Sequence, residues 1–223
     1  MAFDPSKLTP PKPKDESEDW MTTFADMTTL LLAFFVLLAS ISKVDVVLFE
    51  QVKAGMAEGI GRRKVETPVE SLKEDVAEVV KSLKVEDKVG IGTDNQGVTL
   101  EFAAGSFFAP GSAQFNEEAA PILSKLAATI GADRYTGFQI EVQGHTDDTP
   151  IKTPQFPSNW ELSAARASSV IRYFLDVGID PARMKAIGFA DTSPKVPNRG
   201  PTGEPIEANQ EINRRVVVRI YPR

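Results

Sequence analysis

One stretch of the chain is apolar on every side of a helix. From Met27 to Ile41 it reads MTTLLLAFFVLLASI. With the flanking residues, 20–42 would span about 34 Å as a helix, enough to cross a bilayer. Trp20 stands where an interfacial aromatic belongs. Residues 1–19 are polar, with prolines at positions 5, 10, 11 and 13, and read as a disordered tail. After the span the period changes. Val44, Val47, Leu48, Val52 and Met56 share one helical face, with Asp45, Glu50, Lys53 and Glu58 elsewhere. That pattern predicts an amphipathic helix over 43–60, starting at the membrane surface. Gly59-Ile60-Gly61 and Arg62-Arg63-Lys64 break it, and Pro68 marks a boundary. Val69, Leu72, Val76, Val79 and Leu83 then recur at three/four spacing, so the segment 61–85 is a linker plus a second amphipathic helix over about 69–84. Its narrow seam suits either self-pairing or docking on the folded domain behind it.

From residue 86 to 223 the pattern is mixed α/β. Val89–Gly92 and Gly97–Phe102 flank Asp94-Asn95-Gln96-Gly97, a hairpin signal. Asn116 is placed to cap a helix with Glu117 and Glu118 in its first turn, running to Ile130. Phe138–Val142 alternates as a strand. A helix from Asn159 to Val177 would bury Leu162, Ala165, Val170, Tyr173 and Phe174, with Gly178 as its stop. Asp180-Pro181 opens a helical turn. Met184–Phe189 and Arg215–Tyr221 read as strands, and residues 191–210, rich in Pro, Gly and Asn, as one long loop.

Composition narrows the chemistry. The 223 residues carry a net charge of −6, which argues against a nucleic-acid partner. There is no cysteine, which removes disulfides, thiolate metal sites and cysteine nucleophiles. One histidine cannot make a His-His zinc site. No metal and no cofactor is expected. A wall-degrading enzyme finds no persuasive nucleophile–base pair. A cleaved signal peptide fits poorly, because the apolar run is long, the tail before it is acidic and no Ala-x-Ala site comes after it. Lysines lie on both sides of the span, so the positive-inside rule leaves its orientation open.

Asp26 lies inside the span. A carboxylate there is costly and, as a rule, functional. Thr22, Asp26, Thr29, Ala33, Val36 and Ser40 follow helical spacing and form a small, polar face, while Met27, Leu31, Phe34, Phe35 and Leu38 lie opposite. The bulky side suits lipid. The small side suits a partner helix or a narrow wet path, with Thr22 and Thr29 as neighbours of the carboxylate. A carboxyl kept from water is poised for neutralisation by a proton or a sodium ion. One span cannot enclose an ion path, so other membrane helices must complete it.

Trp20-Met21-x-Thr23-Phe24-Ala25-Asp26-Met27, followed by LLLAFFVLLASIS, resembles the membrane segment of flagellar stator B subunits, the MotB/PomB family. Asp45-Val46-Val47-Leu48-Phe49-Glu50-Gln51 is similar to its sodium-type members. The resemblance implies a bacterial inner-membrane protein with a cytoplasmic N-terminus and a periplasmic C-terminal domain. It implies a multi-span A subunit (MotA/PomA-like) as partner, pairing with a second copy as a homodimer, and a plug role for the 43–60 helix. The ion is H⁺ or Na⁺, bound at Asp26.

A second resemblance covers about residues 98–221. Val142-Gln-Gly-His145-Thr146-Asp147, then Asn159-x-x-Leu162-Ser163-x-x-Arg166-Ala167, then Asn213-Arg214-Arg215-Val216 are similar to the OmpA-like peptidoglycan-binding domain. The fold implied for the whole is a single N-terminal transmembrane helix plus an α/β (α+β sandwich) OmpA-like periplasmic domain. By this resemblance Asp147 takes the ammonium and Arg166 the carboxylate of a diaminopimelate stem, supported by Thr146, Asn159 and Arg214. A fixed carboxylate and a forked guanidinium match a zwitterion. A structural Asp147–Arg166 ion pair with no ligand is the plainer alternative. His145 reads as a hydrogen-bonded structural residue rather than a base. The segment DTPIKTPQFPS between Asp147 and Asn159 is longer than in the simplest members and lies where it would partly cover the site.

These features describe an ion-conducting, wall-anchored stator subunit that couples H⁺ or Na⁺ flow to torque. A passive wall anchor is an alternative, but it has no use for Asp26. A stator-like motor outside the flagellum, as in phage defence, fits the same residues.

Overall fold

The structure, a computed structural model, describes residues 16–41, 52, 55, 56 and 67–223. It divides into two units, 1–44 and 45–223. In the first, a single helix α1 runs Glu16–Ile41. It starts four residues before Trp20, inside what the sequence pattern assigned to a disordered tail. Its first turn is drawn from the acidic Glu16-Ser17-Glu18-Asp19 run, a composition that suits the positive end of a helix dipole. Within Trp20–Ser40, 21 residues long, an 18-residue window has a mean hydropathy of 1.8 and none of it is buried. The expected plug helix lies outside the described residues except for Val52, Gly55 and Met56, which are helical.

The second unit is an α/β sandwich. Its sheet contains β1 (Val89–Thr93), β2 (Val98–Ala103), β3 (Phe138–Gly144), β4 (Met184–Gly188) and β5 (Arg215–Pro222), in the order β1-β2-β5-β3-β4. Only β3 and β4 run parallel. Asp94 closes the β1–β2 hairpin by accepting from the backbone of Gln96 and Gly97 at 2.9 and 3.1 Å. Alternation decides which face is buried. Val98, Leu100 and Phe102 on β2, Ile140 and Val142 on β3, and Val216, Val218 and Ile220 on β5 point into one core. The intervening residues make an ionic ladder on the other face. Arg219 reaches Asp94 at 2.6 Å and Glu141 at 3.0 Å, and Lys185 reaches Glu141 at 2.5 Å.

Helix α2 (Pro68–Leu83) supplies the core from one end. Thr67 caps it by accepting from Glu70 N at 3.2 Å, and Pro68 sits in the first turn, where no N–H is missed. Val69, Leu72, Val76 and Val80 are buried in the shared core. Docking, rather than self-pairing, is therefore the use of this seam. A four-residue helix α3 (Ala104–Phe107) comes directly after β2. Helix α4 (Ala119–Ile130) begins three residues after Asn116, whose Oδ1 accepts from Ala119 N at 3.0 Å. The expected cap is present, but Glu117 and Glu118 form the turn before the helix. Helix α5 (Asn159–Asp176) joins β3 to β4, capped by Ser158 and stopped at Gly178, whose φ is +94°. Ala165 and Tyr173, expected inside, are half-buried. The long loop expected over 191–210 ends earlier, because helix α6 (Glu207–Asn213) forms before β5.

Helix α5 lies directly on β3 and β4. A Cβ on Gly144 would lie 2.0 Å from the carbonyl oxygen of Ser163, and one on Gly188 would lie 2.8 Å from Ala164 N. Backbone meets backbone there. Gly144→Ala is expected to lower unfolding free energy by about 3 kcal/mol, measured by denaturant titration, because neither element can yield without losing its hydrogen bonds. Gly137→Ala, where nothing lies within 4 Å, is the control and should change stability by less than about 0.5 kcal/mol.

Candidate functional site

Beyond Gly144, β3 leaves the sheet as His145-Thr146-Asp147. The backbone is held on both sides: His145 N donates to Arg215 O and Thr146 N to Ala190 O, each at 2.9 Å. Thr146 Oγ1 donates to Asp147 O at 2.9 Å. This fixes Asp147 as a buried carboxylate, 6% exposed. Its Oδ1 accepts from Thr149 N at 3.0 Å, and its Oδ2 accepts from Arg214 Nη1. Asn159, the first residue of α5, donates from Nδ2 to Asp147 O at 3.3 Å and Thr149 O at 3.0 Å.

Arg166 lies two turns further along the same face of α5. It is 5% exposed. Nε donates to Ser112 O at 2.9 Å, and the guanidinium carbon lies 5.4 Å from the centre of the Phe108 ring. No carboxylate pairs with it, and its Nη groups have no protein acceptor among the described residues. Burial pulls this guanidinium down to about 10; the charge of Arg214 acts in the same sense, and Asp147 opposes. Arg166 thus stays charged at neutral pH, buried and unpaired. The Asp147–Arg166 ion pair considered from sequence does not form. Arg214 takes that place.

The rest of the site is scaffold. Asn213, fully buried, accepts from the backbone of Lys195 at 2.8 Å and Val196 at 3.2 Å, which ties the loop after β4 to the base of β5. Ser163 Oγ accepts from Ala190 N at 3.1 Å. The segment between Asp147 and Asn159 is ordered by Asp148, which pairs with Arg199 at 2.5 Å and accepts from Gln210 Nε2 at 2.8 Å. The segment is pinned from within by buried Phe156, whose N donates to Thr153 Oγ1 at 2.9 Å. Thr146, Asp147, Asn159, Arg166 and Arg214 therefore meet at one end of the sheet. Ser112 and Phe108, which hold Arg166, carry no signal in the sequence. Among the described residues no cluster of His, Cys, Asp or Glu is placed to hold a metal.

On α1, regular helical geometry puts Thr22, Asp26 and Thr29 on one face. Thr29 Oγ1 donates back to Ala25 O, and Thr28 Oγ1 to the same oxygen at 2.9 Å, so these hydroxyls are satisfied within the helix.

His145 departs from expectation. It is 4% exposed and stacked on Phe189, ring centres 5.1 Å apart and planes within 6°. Neither ring nitrogen has a hydrogen-bond partner. Burial, then the charge of Arg215, pulls the imidazole down to about 4. The folded state therefore binds the proton less readily than the unfolded chain. Stability is full above the unfolded pKa near 6.5 and is lost as pH falls towards 4. Wild type should lose about 3 kcal/mol over that window from this group, and His145→Phe should flatten the corresponding part of the melting-temperature profile against pH.

Residues 107–207 match the OmpA family, and residues 6–60 match the family described as membrane MotB of the proton-channel complex MotA/MotB. The chain is 34% identical to the uncharacterised protein YtxE of Bacillus subtilis (strain 168), covering 90% of this chain and 89% of that one. It is 26% identical to Motility protein B of the same organism, covering 95% and 94%. A crystal structure of a MotB-like protein from Desulfovibrio vulgaris superposes with a TM-score of 0.60 at 30% identity, covering 69% of this chain and 93% of that one. Span, docked helix and sandwich occur in one order along one chain: it belongs to the MotB family and carries an OmpA-like C-terminal domain.

Proposed function

We propose that this chain is the wall-anchored subunit of an ion-driven stator. One observation carries the reading: a carboxylate, Asp26, sits on the apolar helix of the same chain whose C-terminal domain sets a buried, unpaired guanidinium beside a buried carboxylate. An anchor alone needs only the second. A motor needs both, because ion passage does work only against something fixed.

In this reading α1 crosses the inner membrane with its N-terminus in the cytoplasm. It lies beside the helices of a multi-span A-type subunit and a second copy of itself. H⁺ or Na⁺ neutralises Asp26 and leaves. Each change of charge alters which partner contacts are favourable, and the population of arrangements shifts accordingly. The segment 43–60 serves as the plug that withholds flow until the complex is installed. In the sandwich, Arg166 takes a carboxylate of the diaminopimelate stem through its free Nη groups, and Asp147 takes the neighbouring ammonium. Asn159 and Thr146 hold the Asp147 loop, so they act through position. Support comes from the match of residues 6–60 to the MotB membrane family and from the unpaired state of Arg166. The machine served, flagellar or otherwise, is set by the partner rather than by this chain.

Two experiments test the halves separately. Asp26→Asn keeps size but cannot ionise; with its A-type partner it should insert and assemble normally yet pass no ion and drive no movement. Asp26→Glu should retain part of both. Cells that move on the Asn variant would end the coupling role. For the wall half, the detergent-solubilised chain is sedimented with purified peptidoglycan. Arg166→Ala should weaken binding roughly ten- to a hundredfold, the loss of about 1.5–3 kcal/mol from a charge-assisted partner, and Asp147→Asn should weaken it by less, with melting temperatures measured alongside to separate lost contacts from lost folding. Unaltered binding by both places the wall contact elsewhere.

A further inference from the structure

Three charges meet in the wall-binding cleft: one carboxylate, Asp147, and two guanidiniums, Arg166 and Arg214. The net charge is +1, and the two cations are not equivalent. Arg166 is walled in, fixed by Ser112 and Phe108, and lacks an anion. Arg214 has its side chain 41% exposed, and Asp147 is its only side-chain partner among the described residues. Asp147 is the reverse: its side chain is 8% exposed, and both its oxygens already accept, one from Thr149 N and one from Arg214.

The guanidinium suited to a carboxylate is thus paired with no protein carboxylate, and the carboxylate suited to an ammonium is already paired with Arg214. A ligand carboxylate arriving at Arg166 gains a charge-assisted pair and displaces nothing from a side chain. A ligand ammonium arriving at Asp147 meets a carboxylate that has already been neutralised. It must replace Arg214 or share the oxygen with it, next to a like charge. The exchange of one cation for another gains little, because the Asp147–Arg214 pair is lost as the new pair forms. Arg214 is the residue between α6 and β5, and with 41% of its side chain exposed it has solvent to turn into.

We propose that Arg214 is a built-in competitor for Asp147, so that this cleft selects its ligand by the carboxylate taken at Arg166, while the ammonium exchanges with Arg214 at little gain. The proposal rests on the wall-binding reading above and deepens it. Arg214 is then the residue that sets how much an amine contributes, and the preferred ligand is a stem whose carboxyl is free rather than amidated.

The test uses the full chain in detergent and three small probes, followed by ligand-observed NMR titration. Diaminopimelate has both groups, pimelate only carboxylates, and 1,5-diaminopentane only ammoniums. Wild type should bind pimelate within about threefold of diaminopimelate and should not bind diaminopentane. In Arg214→Gln the competitor is gone, and the preference for diaminopimelate over pimelate should rise about tenfold. Both probes are measured on the same protein, so a general loss of stability cancels in the ratio. Arg214→Lys, which keeps a charge but not the fork, should move the ratio part of the way and carries the test if the Gln variant does not fold. A ratio that both variants leave unchanged overturns the proposal, as does strong binding of diaminopentane by wild type. If wild type binds neither diaminopimelate nor peptidoglycan, the wall-binding reading itself falls, a result distinct from an unmoved ratio.

Discussion

Everything at the cleft depends on how closely α5 lies on β3 and β4. At Gly144 the helix backbone rests directly on β3, and at Gly188 the backbone of Ala164, its methyl group and the Ser163 hydroxyl rest on β4. That contact sets the height of α5, and α5 carries Asn159, Ser163 and Arg166. Ser163 reaches across to Ala190 N, and Asn159 reaches back to the carbonyl of Asp147. A helix one methyl group further away would leave both bonds unmade and would carry Arg166 off Ser112. The two glycines thus determine the geometry of charges to which they make no contact.

β5 supplies the second constraint. It lies between β2 and β3, so the sheet has no continuous ladder without it. The residues just before it, Asn213 and Arg214, enter the cleft because β5 itself is locked at the centre. Asn213 then gathers the loop after β4 with three backbone contacts. A cluster built from three distant stretches of chain is held together by one strand's register.

Much of this was legible in the sequence. Alternation marked β3, the hairpin signal marked β1 and β2, helical spacing marked α2 and α5, and Asp94, Asn116 and Asp180 each accept a backbone bond where the sequence placed a turn or a helix start. The failures have physical reasons. Helix α6 was missed because Glu207–Asn213 has no apolar period; what it buries is Gln210 and Asn213, which serve as hydrogen-bonding groups. The resemblance to the OmpA-like domain brought Asp147, Arg166 and Arg214 together but did not tell which arginine would pair with the carboxylate. Only the placement of Ser112 and Phe108 decides that, and neither belongs to a motif. His145 looked like a hydrogen-bonding residue by type, whereas its neighbour in space is the flat face of Phe189.

The backbone contact at Gly144 also bears on the entropy of recognition. A cleft whose helix has one seat on its sheet has few alternative shapes to give up when a ligand arrives. Asp147 and Arg166 are both more than nine-tenths buried and already aimed. The ordering cost of binding falls on the ligand and on the single half-exposed side chain of Arg214. Such a cleft is preorganised, so its affinity is limited by the contacts it offers rather than by the cost of assembling them.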